Sequence, residues 1–273
     1  MALKFLFGVL PYITVGIFLS GILFRFWVWS RTPVPLRIVT TPGPKTRIGV
    51  AWRLVGDILW FPNLFKADKP LWVAGWCFHI LLWLVLLRHL RYFLYPVPGW
   101  IAGIQTAGLY AGYLIPIPLA FLLARRFLID RTLYVSILGD YFVLFLLLSI
   151  TLSGTLLHLF FRTYLIDVKA FINGLIHFKY LAPEAHWLFI LHFLLVMALL
   201  VYFPFSHVLK LFFRYYHQLR WDEIPNRKGS PMESRIKGLL DLPVTWSGAH
   251  IPSGKKWSEV ASGSDLEGRS GKP

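Results

Sequence analysis

The chain has 273 residues, 56% of them hydrophobic, and a formal net charge of +15. Its mean hydropathy of +0.60 is well above that of a soluble domain and points to an integral membrane protein. That excludes the nucleic-acid partner which such a charge would suggest on a soluble chain. Cys77 is the single cysteine, which excludes an intramolecular disulfide, a c-type haem attachment motif and an iron–sulfur cluster built from this chain alone.

The apolar residues fall into five runs, roughly Phe5–Trp29, Leu71–Tyr95, Trp100–Ala124, Val135–Phe161 and Glu184–Phe213. Each is long enough for a tilted spanning helix. None alternates with period two, which argues against a β-barrel. The first is too long for the core of a signal peptide and lacks a small-x-small cleavage site, so it reads as an uncleaved span. After it, the prolines of SRTPVPLRIVTTPGPK forbid regular helix. Then RIGVAWRLVGDILWF, about 47–61, places Ile48, Ala51, Trp52, Val55, Ile58 and Leu59 at helical spacing, with Arg47, Arg53 and Asp57 elsewhere. It predicts an amphipathic helix, lying on the membrane surface or packed against a partner subunit. In the third run the prolines of YLIPIPLA predict a kink. Residues 218–273 are polar, carry Pro, Gly and Ser throughout and end on ASGSDLEGRSGKP, which reads as disordered. The expected division is a membrane domain over 1–217 and a tail over 218–273.

With five spans, one face receives the loops 1–2 and 3–4 and the tail. That face carries every Lys and Arg except Lys4, Arg88, Arg91, Arg162, Lys169 and Lys179. The positive-inside rule then places the N-terminus outside and the C-terminus in the cytoplasm, and the excess charge offers a contact for anionic lipid. The expected fold is an all-α integral membrane protein, a bundle of five transmembrane helices.

The second run contains CFHILLWLVLLRHLR, with His79, Arg88, His89 and Arg91 inside an apolar stretch. An ionisable group in hydrocarbon costs about 2.5–3.5 kcal/mol on insertion scales, so such groups mark functional positions. At about 1.5 Å per residue, His79 and His89 lie about 15 Å apart along one helix, and His192 and His207 about 22 Å apart along another. The two helices run in opposite directions. His89 therefore pairs in depth with His192 in the outer half, and His79 with His207 in the inner half. Haem iron in an electron-transfer cytochrome takes two axial ligands from opposite sides, and imidazole serves well. Four histidines at paired depths point to two haems stacked across the bilayer. The unequal spacings require the helices to tilt or the inner ligand to differ, and His79 and His89 do not share one strict helix face. For any one of these residues the alternative is a hydrogen-bonded packing histidine.

FHILLWLVLLRH in run two and LHFLLVMALLVYFPFSHVLK in run five resemble the gamma subunit of respiratory nitrate reductase and its relatives, a family of five-span dihaem b cytochromes. FKADKPLWVAGWCFH, RHLRYF, YHQLRWDEIPN and LLDLPVTWSGAHIPSGKKWSEVA are closest to one branch of it. That branch occurs in membrane complexes with a heterodisulfide-reductase-like iron–sulfur partner, the cytochrome b subunit of the sulfite-reduction-associated Dsr complex being its leading member. The resemblance implies two non-covalent b haems, with His89 and His192 on the outer one and His79 on one side of the inner one. The family's second ligand in run five falls here on Lys210, and a protonated lysine cannot ligate iron; His207, one turn earlier, is the substitute. The resemblance also implies a multi-pass protein of a prokaryotic cytoplasmic membrane. It would exchange electrons between a quinone, most naturally menaquinone and its quinol, and a cytoplasmic iron–sulfur subunit on which the tail docks. Further membrane and periplasmic redox subunits are implied as partners.

The outer face gathers Arg88, Arg91, His158, Arg162, Asp167, His177, Glu184 and His186. Quinol oxidation releases two protons, and His158, Glu184 and His186 are the candidates for quinone binding or proton release. Arg88 and Arg91 are candidates for the haem propionates. Interfacial anchoring is the alternative for all five. No phosphate-binding loop, nucleophile elbow or zinc-protease motif occurs, so the chain reads as an electron-transfer subunit without a terminal catalytic site. The rival readings are a nitrate reductase gamma subunit, a non-haem proton-coupled transporter and a structural anchor with packed histidines.

Overall fold

A backbone N–H or C=O left unpaired in hydrocarbon costs several kcal/mol, about as much as any side-chain effect, and a helix pairs them all from within. The apolar runs accordingly form helices. The structure, a computed structural model, describes residues 5–31, 44, 46–161, 165–179, 186–209, 231–246 and 253–261. Five helical stretches in it are long and apolar enough to cross a membrane: Phe5–Arg31, Lys69–Tyr92, Gln105–Leu128, Leu138–Phe160 and Trp187–Phe205. Among the described residues every named element is helical, and the one extended pairing outside them is an isolated antiparallel bridge between Pro243 and Lys256.

A π-helical turn, Phe5–Val9, opens into α1 (Leu10–Arg31). Next come α2 (Arg47–Trp60), the short α3 (Pro62–Ala67) and α4 (Lys69–His89). The third span is α6 (Gln105–Leu114) followed by α7 (Pro116–Leu128), with α5 (Gly99–Gly103) before it. A short α8 (Asp130–Val135) leads to α9 (Leu138–Phe160), and α10 (Leu165–Ile176) separates α9 from α11 (Trp187–Tyr202). The chain divides into two units, Met1–Pro33 with Val55–Tyr215, and Val34–Leu54 with Tyr216–Pro273.

Local chemistry sets the breaks. Asp68 starts α4 by accepting the Leu71 N–H at 2.9 Å, and its other oxygen receives the Arg125 guanidinium of α7. The Leu71 N–H first, then Arg125, holds the Asp68 carboxyl below its ordinary range. The kink expected in the third span falls at Ile115, before Pro116. A proline cannot donate to the carbonyl one turn back, here that of Gly112. Thr155 Oγ1 of α9 donates to that carbonyl instead, at 3.0 Å. The fifth span departs from the expected run to Phe213. Its α-helix stops at Tyr202, a 3₁₀ turn covers Phe203–Phe205, and Ser206 is extended before residues 207–209, which are helical again. Pro204 is the cause, for the same lack of an N–H.

In the first unit α1 packs on α11, α11 on α9, α9 on α6 and α7, and these two on α4. The two helices with paired histidines, α4 and α11, are not among the extensively packed pairs. Ala74 is the one buried residue of α4, and the others are half-buried or exposed. Phe7, Leu157, Phe171, Leu188 and Phe189 form an apolar cluster joining α9, α10, α11 and the first turn. Close approach of α6 to α4 rests on Gly108, where a Cβ would stand 2.7 Å from Arg88 Cβ and 2.8 Å from the Leu84 carbonyl oxygen.

The second unit contains most of α2, whose Val50 and Leu54 are buried while Ile48 and Trp52 are exposed. It also contains α12 (Pro231–Leu240) and α13 (Trp257–Ala261). The Val244 N–H donates to Lys255 O at 2.7 Å and the Trp257 N–H to Leu242 O at 3.1 Å. Gly254 supplies the positive φ, 91°, that this tight turn needs. The disordered end expected from the sequence lies outside the described residues.

Gly108→Ala should destabilise the first unit by about 1–3 kcal/mol through overpacking. Gly16→Ala, with nothing within 4 Å, should be neutral or mildly stabilising. Thermal unfolding of the two variants in detergent checks the contrast.

Candidate haem site

A neutral imidazole has one N–H and one lone pair, and its partner decides which nitrogen carries which. A backbone carbonyl only accepts. On α4 the partner is the carbonyl one turn back: His79 Nδ1 lies 2.6 Å from Gly75 O and His89 Nδ1 2.7 Å from Val85 O. Helical side chains lean toward the N-terminus of their helix, which brings each ring over that carbonyl. Both histidines therefore carry the proton on Nδ1 and the lone pair on Nε2, and both rings are exposed.

His192 reaches the same state by a tertiary contact. Its Nδ1 lies 3.1 Å from Ile150 O and 3.0 Å from Ser153 Oγ, both on α9. Gly154 makes room for the ring: a Cβ there would stand 3.1 Å from His192 Cε1. His89 on α4 and His192 on α11 are close enough to interact electrostatically.

His207 differs. Its Nε2 lies 2.6 Å from Asp140 Oδ1, and a carboxylate only accepts, so the proton sits on Nε2 and the lone pair on Nδ1. The Nδ1 edge rests against Gly139. Asp140 Oδ2 also receives Arg126 and the Ile137 N–H, each at 3.1 Å. Arg126 donates to Ser136 Oγ at 2.7 Å. His207 thus belongs to a polar clasp tying the ends of α7, α9 and the fifth span. It does not present Nε2 as the other three do.

The other candidates are placed as follows. Arg88 donates to Gln105 O at 3.0 Å and Arg91 to Gln105 Oε1 at 2.9 Å, so both guanidinium groups tie the end of α4 to the start of α6. The His158 Nδ1 and Tyr113 hydroxyl are 2.6 Å apart. His186 caps α11, its Nδ1 accepting the Leu188 N–H at 3.3 Å, with its ring stacked on Phe161 at 3.9 Å. That cap leaves the neutral ring's proton on Nε2. Glu184, Arg162, Lys210, His217 and His250 lie outside the described residues.

The residues present fit a haem at the outer pair. Two imidazoles with Nδ1 anchored and Nε2 available are the donor set of a bis-histidine iron. At the inner pair His79 fits, and His207 fits only after exchanging its bond to Asp140. Sequence reading missed Gly139, Gly154, Ser153, Asp140 and Tyr113. A signal existed for the glycines, since Gly139 and Gly154 repeat on α9 the fifteen-residue spacing of His207 and His192.

No protein-family model matches the chain. It is similar to an Hdr-like menaquinol oxidoreductase cytochrome b-like subunit of Archaeoglobus fulgidus, 31% identical over 92% of this chain and 90% of the relative. A protein of the same description from Archaeoglobus profundus is 29% identical, over 75% of each chain.

Asp140→Ala should destabilise the chain more than His207→Ala, because the carboxylate serves three donors and the imidazole one. About 1–3 kcal/mol is expected for the orphaned partners. Melting temperatures of both variants test the order.

Proposed function

The chain belongs to the family of Hdr-like menaquinol oxidoreductase cytochrome b-like subunits, and on that premise we propose that it is the dihaem b membrane subunit of a respiratory complex. In this reading it exchanges electrons between menaquinol and a cytoplasmic iron–sulfur subunit of the heterodisulfide-reductase type, in dissimilatory sulfur metabolism. The observation that carries the reading is the common state of His79, His89 and His192, each with Nδ1 bound to a carbonyl and a lone pair on Nε2. His89 and His192 hold the outer haem, and His79 one side of the inner haem. His207 is the proposed second inner ligand, and it must release Asp140 to act through Nε2. A bound b haem supplies one-electron exchange.

The chain's own residues handle the quinol. Menaquinol oxidation gives up two electrons and two protons. His158 stands one turn, about 6 Å, along α9 from Gly154 and the His192 ring beside it. With its Nδ1–H donated to the Tyr113 oxygen, His158 accepts a quinol proton on Nε2. His186 presents Nε2–H and orients a quinone oxygen, and Glu184 is a third proton acceptor. Arg88 and Arg91 have further N–H groups beyond those on Gln105 and pair the haem propionates. The N-terminus is outside, the C-terminus in the cytoplasm of a prokaryotic cell, and the basic face meets anionic lipid. The tail over 218–273 docks the iron–sulfur subunit. Lys210 and this tail favour the sulfite-reduction-associated branch over a nitrate reductase gamma subunit.

The test is reduction of the haem-loaded chain by a menaquinol analogue and, separately, by dithionite. His89→Ala and His192→Ala should each lose the outer haem signal. Tyr113→Phe and His158→Ala should slow quinol-driven reduction about 100-fold and leave dithionite reduction unchanged. A wild-type chain that dithionite reduces and menaquinol does not would overturn the quinol reading.

A further inference from the structure

Phe61, between α2 and α3, has φ 46° and ψ 51°. An L residue with a bulky side chain adopts this left-handed backbone only where its surroundings impose it. The surroundings here are specific. Trp76 Nε1–H donates to Leu59 O at 3.1 Å and Trp72 Nε1–H to Trp60 O at 2.7 Å. These are the two carbonyls immediately before Phe61. The indoles are stacked, Trp60 on Trp76 at 6.2 Å and Trp72 on Trp76 at 5.9 Å. On the other side the Phe65 N–H donates to Phe61 O at 3.0 Å and begins α3. The turn is therefore fixed from both ends, and both indoles come from the first turns of α4, the helix that carries His79.

One product of this arrangement is the position of a ring. The Phe61 ring lies 5.2 Å from the His79 ring, inclined by 49°. Gly75 O fixes which nitrogen of His79 carries the proton, but a single hydrogen bond leaves rotation about its axis, and the residue is exposed, with the ring of its chain neighbour Phe78 edge-on at 5.0 Å. A flat ring packed against it removes that freedom. The other anchored rings have supports of their own: Ile150, Ser153 and Gly154 enclose His192, and the Tyr92 ring lies 5.8 Å from that of His89.

We infer that the α2–α3 turn is a brace for the inner haem ligand and that Phe61 is a positioning residue that sets the plane of the His79 imidazole. The inference rests on the proposed function, in which His79 is an axial ligand. Partners that orient a metal-ligating histidine typically change metal affinity about 10–100-fold when removed. Glycine separates the ring from the backbone, because it adopts positive φ without strain.

The experiment uses the full chain, expressed with haem supplied, and compares wild type, Phe61→Gly and the double variant Trp72→Phe/Trp76→Phe. Low-spin electron paramagnetic resonance, redox titration and haem per polypeptide are read for each, with His79→Ala and His89→Ala assigning the inner and outer signals. Both brace variants should shift the inner signal and potential and weaken inner haem retention about tenfold, with the outer signal unmoved. Phe61→Gly should unfold at no lower a temperature than wild type. An inner signal unchanged in Phe61→Gly, or inner and outer signals changed alike, overturns the brace and leaves the dihaem reading standing. A wild-type chain with no signal that His79→Ala removes overturns both.

Discussion

The interaction on which the rest depends is a histidine N–H given to a backbone carbonyl inside an apolar helix. In hydrocarbon no water completes an imidazole, so its donor must find a protein acceptor. A helix carbonyl keeps a second lone pair after its own backbone bond, and at Gly75 and Val85 it is spent on His79 and His89. That bond fixes each ring and turns the opposite nitrogen, with its lone pair, outward. The packing order follows the same logic. By interposing α6, α7 and α9, the bundle keeps α4 and α11 from extensive contact.

Smaller residues and repaired hydrogen bonds hold α9 where this geometry needs it. Gly154 and Gly139 admit the rings of His192 and His207. The bond from Thr155 to the Gly112 carbonyl satisfies the acceptor that Pro116 leaves and ties α9 to the kinked third span. The two ends of the bundle then diverge. At one end His192 is enclosed by carbonyl, hydroxyl and glycine. At the other, the break at Pro204 carries His207 past the end of the span and into the Asp140–Arg126 clasp. The same residue type at the two ends thus takes opposite tautomers, because one meets a carbonyl with Nδ1 and the other a carboxylate with Nε2.

The spans were legible because hydropathy over about 20 residues reports burial in lipid directly. The helix over Arg47–Trp60 and the kink before Pro116 were legible from periodicity and from proline chemistry. The break at Pro204 was legible in principle, yet the long apolar run through FPFS masked it. Setting His89 and His192 at one depth needed only helix rise and direction. The tautomers were not readable, since they depend on which acceptor each ring meets. Asp140 had no sequence link to His207, being distant in the chain, and nothing in FPN foretells a left-handed Phe61. That conformation comes from two tryptophans on the next long helix.

The most direct measurement is a dithionite-reduced minus oxidised absorption spectrum of the purified full chain, expressed with haem supplied and quantified per polypeptide. The account predicts two b haems, one at each proposed histidine pair. A folded chain that binds no haem under those conditions would contradict it, and the four histidines would then be polar packing residues.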